Sequence, residues 1–183
     1  MKYMKFFLFV SCFFLLMACG TTNNGATNGG TGSDQDDPAQ EEEGVKDLTG
    51  HIVSIDGNRI LVTGENAHNS VSATWYTIDD NTLITLASGR EPGIVLQVGM
   101  KVETWNTGIV LESFPSQASA VKIIVDDSQP LKEREAIEQA LSEVDPSQPW
   151  LVATVEEEGD MYKVTLKNLL SDDEEVEIEV KVE

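Results

Sequence analysis

Two histidines, several runs of adjacent carboxylates and two tryptophans in strand-like segments are the side chains of this 183-residue sequence with chemistry to offer. Hydrolysis by a nucleophilic route needs a nucleophile, a base and an orienting acid that converge. His51 lies early in a run that alternates apolar and polar residues, and His68 lies in a polar stretch. No Gly-x-Ser-x-Gly element frames a serine as an elbow. No catalytic residue is therefore assigned, and the chain reads as a non-enzyme. Calcium favours clustered carboxylate oxygens, which Asp79-Asp80, Asp126-Asp127 and Asp172-Asp173-Glu174-Glu175 supply. None of these runs spaces its ligands alternately around a central Gly, so solvated turns are the simpler reading. No metal or cofactor is assigned.

The tryptophans carry the one candidate for a ligand surface. In a strand, neighbouring side chains point to opposite faces. Met100, Val102 and Thr104 then share one face, and Lys101, Glu103 and Trp105 the other. By the same alternation Trp75 points away from Tyr76 and Ile78. A large aromatic on a polar face needs either cover or a ligand, and it can stack on a sugar ring or a peptide side chain. Trp105, with Trp75 in support, is the possible ligand-binding pair. The competing expectation is that the Phe114-Pro115 loop or the C-terminal segment covers both rings.

At the N-terminus the spacing points to covalent chemistry. Lys2 and Lys5 precede an apolar run from Phe6 to Met17, broken only by Ser11 and Cys12. The run is short of the ~20 residues that a spanning helix needs, so it reads as the apolar core of a signal peptide. It ends in Leu16-Met17-Ala18-Cys19, which resembles a bacterial lipobox. Ala18 is small enough for a peptidase pocket, and the Cys19 thiol would become a diacylglyceryl thioether. Cys12 falls within the leader, so Cys19 is the sole cysteine of the processed chain, and a leftover thiol in an exported protein asks for an explanation. Acylation explains it, and two or more chains hold a protein firmly on a membrane.

Charge bounds the partners. The sequence carries 32 acidic and 12 basic residues, a net of −20. Unaided binding to nucleic acid or to anionic lipid is disfavoured, because both need a positive surface. Residues 20–44 hold six acidic and no basic residues, no aromatic and almost nothing aliphatic. Such a segment cannot bury enough apolar surface to offset its ordering entropy, and it reads as a disordered acidic tether. Residues 45–125 carry a net of −3 and residues 126–183 a net of −13. The expected organisation is a signal peptide (1–18), a lipidated Cys19 with its tether (19–44), a barrel domain (45–125) and an acidic α+β module (126–183).

The elements that would position these residues are mainly β. Leu48 to Ile55, a turn at Asp56-Gly57-Asn58 and Arg59 to Thr63 make a hairpin signal. Ala73 to Ile78, Thr82 to Leu86 and Lys101 to Trp105 read as further strands. Asn106-Thr107-Gly108 reads as a second hairpin turn into Ile109 to Ser113, and Ala120 to Val125 closes the set. Seven short strands fit a small OB-like Greek-key barrel with extra pieces. In the C-terminal part Pro130 can open a helix, and Ile137, Ala140, Leu141 and Val144 form an amphipathic stripe. Leu151 to Glu156, Met161 to Leu166 and the alternating Val176, Ile178, Val180 and Val182 then form a three-stranded antiparallel meander.

The strings Gly50-His51-Ile52, Arg59-Ile60-Leu61-Val62, Leu96 to Trp105 and Glu112-Ser113-Phe114-Pro115-Ser116-Gln117-Ala118 resemble the YobA-like family of small bacterial lipoproteins, over about residues 48–125. That resemblance implies a lipid-anchored protein on the outer face of a bacterial cell membrane. It implies no catalytic residues. Residues 130–183 resemble, in pattern only, small exported PepSY-type modules, some of which restrain proteases. The leading expectation is a lipid-anchored, non-enzymatic binding module whose partner is an envelope protein or a cell-wall polymer. A protease-inhibitory or regulatory lipoprotein acting through the C-terminal module is the alternative, and an enzyme on envelope polymer the third.

Overall fold

Asp56 to Arg59 makes the first tight turn, with Gly57 at φ +60° and the Arg59 guanidinium donating to Asp56 Oδ2 at 2.5 Å. It joins β1 (Val45–Asp56) to β2 (Arg59–Asn66) as an antiparallel hairpin. The computed structural model describes residues 44–89, 93–171 and 174–182, which fall within one compact unit. The leader, Cys19 and the segment up to residue 43 lie outside the described residues, as do Asp172 and Asp173 of the last acidic run.

β3 (Val71–Thr77) pairs with β2, β5 (Lys101–Leu111) pairs with β1, and β6 (Ser116–Val125) pairs with β5. A parallel pairing of β3 with β6 closes these five strands into an OB-like barrel, and β4 (Leu83–Leu86) adds in parallel beside the far half of β6. Leu48, Ile52, Ile60, Val62, Tyr76, Val102 and Ile123 fill the interior, each at most 1% exposed. At register partners Gly50 and Gly64 the two strands cross closely. A Cβ at Gly50 would lie 2.0 Å from the Thr63 carbonyl oxygen, and one at Gly64 would lie 2.1 Å from that of Thr49. Only glycine permits that approach, which bends the sheet at the barrel corner.

The expected hairpin turn at Asn106-Thr107-Gly108 is instead a bulge within one continuous strand, so six strands rather than seven make up this sheet. Asn106 is buried, and its amide donates to Asp47 Oδ2 at 2.9 Å. Its Oδ1 accepts from the Gly108 N–H at 2.7 Å, while Gly108 takes φ +84°. The Asn-x-Gly signal therefore serves a local register shift, a recurrent use of glycine in strands. The chain actually reverses at Glu112 to Pro115, five residues further on.

The C-terminal part has the expected order: α1 (Leu131–Ser142), then β7 (Trp150–Glu158), β8 (Met161–Asn168) and β9 (Glu175–Lys181) in an antiparallel sheet. Ala136, Ile137, Ala140 and Leu141 of the helix stripe bury against Val152, Tyr162, Val164, Leu166 and Val180. Val53 and Val98 from the barrel side pack on the same cluster, so the two cores adjoin. Gln129 fastens the connection, accepting from Lys101 N and donating to the Gly99 carbonyl, both at 3.0 Å.

Candidate functional site

His51 stands in β1 opposite Thr63 and Lys101. It lines a cleft of about 190 Å³ with Lys101, Glu133 and residues Val152 to Val155. Burial, reinforced by the Lys101 ammonium and opposed by Asp126, lowers its pKa to about 4. The imidazole is therefore neutral near pH 7, and a base of so low a pKa abstracts protons poorly. His68 is exposed in the Asn66–Ser70 turn, where its N–H donates to Asn66 Oδ1 at 2.9 Å. The two histidines are not brought together.

The carboxylate pairs serve turns. Asp126 Oδ1 accepts from Ser128 N at 3.1 Å and from its hydroxyl at 2.5 Å, and Asp127 accepts from the Ser88 N–H and hydroxyl. These bonds hold both carboxyls below the usual carboxylate range. Asp79 accepts from the Asn81 N–H at 2.8 Å. Among the described residues no three His, Cys, Asp or Glu side chains converge as metal ligands do.

Trp105 and Trp75 are both half-buried on the outer side of the barrel, while Val102, Thr104 and Tyr76 point inward. Cations stand against both rings. Trp105 is flanked in register by Lys46 of β1 and Lys122 of β6, whose ammonium nitrogens stand 5.6 and 4.3 Å from the ring centroid. Lys46 also bonds Glu103 at 2.8 Å. Over Trp75 lies the Arg59 guanidinium, 5.0 Å from the centroid. The ring quadrupole attracts these cations, and the lysine stems cover apolar surface. The two rings therefore sit under separate cations, and a stacking ligand would have to displace them.

Sequence reasoning missed two features. The first is a polar cluster at the base of the β5–β6 hairpin. The buried Tyr76 hydroxyl donates to Asp47 Oδ2 at 2.6 Å, beside the Asn106 amide. Burial, and then this bond to Asp47, push the tyrosine pKa up. The signal was a tyrosine on an apolar strand face, whose hydroxyl needs a partner once buried. The second is what that cluster supports. Beyond Asn106 the strand runs on with Thr107 to Leu111 all exposed. Ile109 is 74% exposed, Leu111 61% and Phe114 48%. Ile109 and Leu111 form one wall of a groove of about 510 Å³, lined also by Thr77, Thr107, Gln117, Ala118 and Ser119. A second cleft, of about 290 Å³, lies by Lys101, Glu103 and Asp126. The groove is the larger and the more apolar of the two, and its lining contains no carboxylate, imidazole or ammonium group.

Residues 49–126 match a family described as "Protein of unknown function (DUF3221)". The match spans most of the barrel and 78 of the 183 residues. Its bounds take in His51, Trp75, Trp105 and the whole β5–β6 hairpin, and they stop before α1. No curated protein and no solved structure matches the chain.

Proposed function

We propose that this protein is an exported, lipid-anchored envelope protein whose DUF3221 domain is a non-enzymatic binding module. The observation that carries the reading is the groove of the β5–β6 hairpin. It exposes Ile109 and Leu111 and offers no acid, base or metal ligand with which to do chemistry. Concave apolar surface of this kind marks interaction sites on soluble domains. The neutral, weakly basic His51 agrees with a role in holding rather than reacting.

The Leu16-Met17-Ala18-Cys19 string supports the anchor, since Cys19 is the thiol left after the leader is removed. The YobA-like resemblance of residues 48–125, and the looser PepSY-like pattern of residues 130–183, agree with a small exported lipoprotein. The groove replaces Trp105 and Trp75 as the first candidate surface, because both tryptophans already have cationic cover.

The test is retention on isolated membrane and cell-wall fractions of the chain expressed without its leader and with Cys19→Ala, so that no acyl chain holds it. Ile109→Ser with Leu111→Ser should reduce retention at least tenfold while leaving the melting temperature within a degree or two, because both side chains are exposed. Unchanged retention of the double variant would remove the groove from consideration.

A further inference from the structure

We infer that the tip of the β5–β6 hairpin beds into the surface of the lipid bilayer to which the chain is tethered. This deepens the proposal for the groove and rests on the readings of that groove as a binding surface and of Cys19 as an anchored end. Four apolar side chains, Ile109, Val110, Leu111 and Phe114, are 40–74% exposed within six residues, with Glu112 the one charge among them. Single exposed apolar residues need no explanation, but a contiguous set does.

The position of the chain's entry into the fold indicates what covers them. β1 begins at Val45, in register with Asn106, and a Cβ at Gly108 would lie 3.5 Å from Val45 Cγ2. The 25 residues between Cys19 and Val45 therefore end at the base of this hairpin. Even fully extended, 25 residues span at most about 80–90 Å. A tether attached at this point keeps the hairpin within reach of the bilayer.

Charge is graded along the same axis. Lys46 and Lys122 flank Trp105 just behind the bulge, where ammonium groups and an amphipathic ring would meet lipid headgroups. The acidic module joins the barrel through β1 and β2, near Thr63, and its cleft includes Lys101, at the other end of β5 from Leu111. At ~3.3 Å per residue those ends lie roughly 30 Å apart. The described residues between 126 and 182 carry 15 acidic and five basic groups, a net of −10, and they join the barrel away from the tip.

The test uses the full chain expressed with its leader and purified from membranes. Leu111→Cys and, separately, Phe114→Cys introduce a thiol for a fluorescent label, and Glu158→Cys in the β7–β8 turn is the control. The intact mass reports whether Cys19 is acylated. In phosphatidylcholine vesicles, nitroxide-bearing lipid should quench labels 111 and 114 at least threefold more than label 158. Aqueous iodide should quench them at least threefold less than it does without vesicles. That pattern supports the inference whether or not the mass shows acylation, and an unacylated mass would remove the anchor reading alone. Labels 111 and 114 as accessible to iodide as label 158, in an acylated protein bound to vesicles, would overturn the inference and leave the anchor standing. The same accessibility in an unacylated protein would overturn both. Shielding that needs membrane proteins, and that pure lipid does not produce, would also overturn it, in favour of a protein partner for the groove.

Discussion

The Thr63 hydroxyl donates to the Trp150 carbonyl oxygen at 2.9 Å, a buried bond that joins strand β2 of the barrel to the first residue of β7. Thr63 is wholly buried and Trp150 is 4% exposed. The Trp150 indole is itself held, its Nε1 donating to the Asp145 carbonyl at 2.9 Å. A hydroxyl placed between two cores must find a partner, because a buried donor left unmade costs more than the bond contributes. That requirement sets the position of the second sheet against the barrel.

Thr63→Val should therefore destabilise the fold by about 1–3 kcal/mol, since it keeps the shape but leaves the Trp150 carbonyl without its donor. Urea unfolding followed by tryptophan fluorescence and by far-ultraviolet circular dichroism would measure it. If the two cores cooperate, both probes trace one transition in the wild type. Separate transitions would show that the sheets unfold independently.

Gly50→Ala tests the barrel corner. The added methyl would lie 2.0 Å from a backbone oxygen that cannot rotate away, so the strands must part. Overpacking of this kind costs typically 1–3 kcal/mol and sometimes more, and a loss above about 2 kcal/mol is expected. Gly159→Ala is the control. Nothing lies within 4 Å of its Cβ position, and its φ of +71° carries only a local penalty. Equal losses at the two positions would contradict the close crossing.

Lys122→Ala and Trp105→Ala form a pair for a double-mutant cycle. With the ammonium 4.3 Å from the ring centroid, a coupling of about 0.5–1 kcal/mol is expected. Half-buried Trp105 should cost about 2–3 kcal/mol alone, less than the ~3–5 of a fully buried aromatic. Zero coupling would mean that the lysine does not cover the ring in solution and would return Trp105 to the list of ligand surfaces.

His51 gives stability a pH dependence with a defined window. Its folded pKa of about 4 lies below the ordinary 6.5, so the unfolded chain binds the extra proton first. Stability is then full above pH 6.5 and falls as the pH drops towards 4, by about 2–3 kcal/mol. Asp126, Asp127 and Asp145, whose carboxyls are held low by serine hydrogen bonds, lose their contribution below about pH 4. Chemical denaturation from pH 8 to 3 should show the two phases. His51→Gln should flatten the upper one alone.

Acylation is a separate prediction. A clickable fatty acid fed to expressing cells should label the wild type, and Cys19→Ala should abolish the label and the normal processing of the leader. Equal labelling of both would end the lipoprotein reading.

Much of the fold was legible because it rests on local periodicity. The alternation of Val176, Ile178 and Val180 with glutamates, the stripe of Ile137, Ala140 and Leu141, and the placing of Trp105 on the polar face with Lys101 and Glu103 all follow from where successive side chains must point. Asp56 to Arg59 makes its turn from residues three apart. The candidate surface was not legible in the same way. Asn106-Thr107-Gly108 carries the composition of a turn, but in the fold buried Asn106 and Tyr76 share half-buried Asp47 as their partner, and the segment becomes a bulge. That choice carried β5 five residues onward and exposed Ile109 and Leu111. The cations over Trp105 come from strands on either side, at positions 46 and 122, and the partner of Thr63 lies 87 residues away. Side-chain direction is decided within a few residues of backbone. Which groups then meet is decided by long-range register and by the need to pair every buried polar atom, and those are properties of the closed barrel and the sheet beside it.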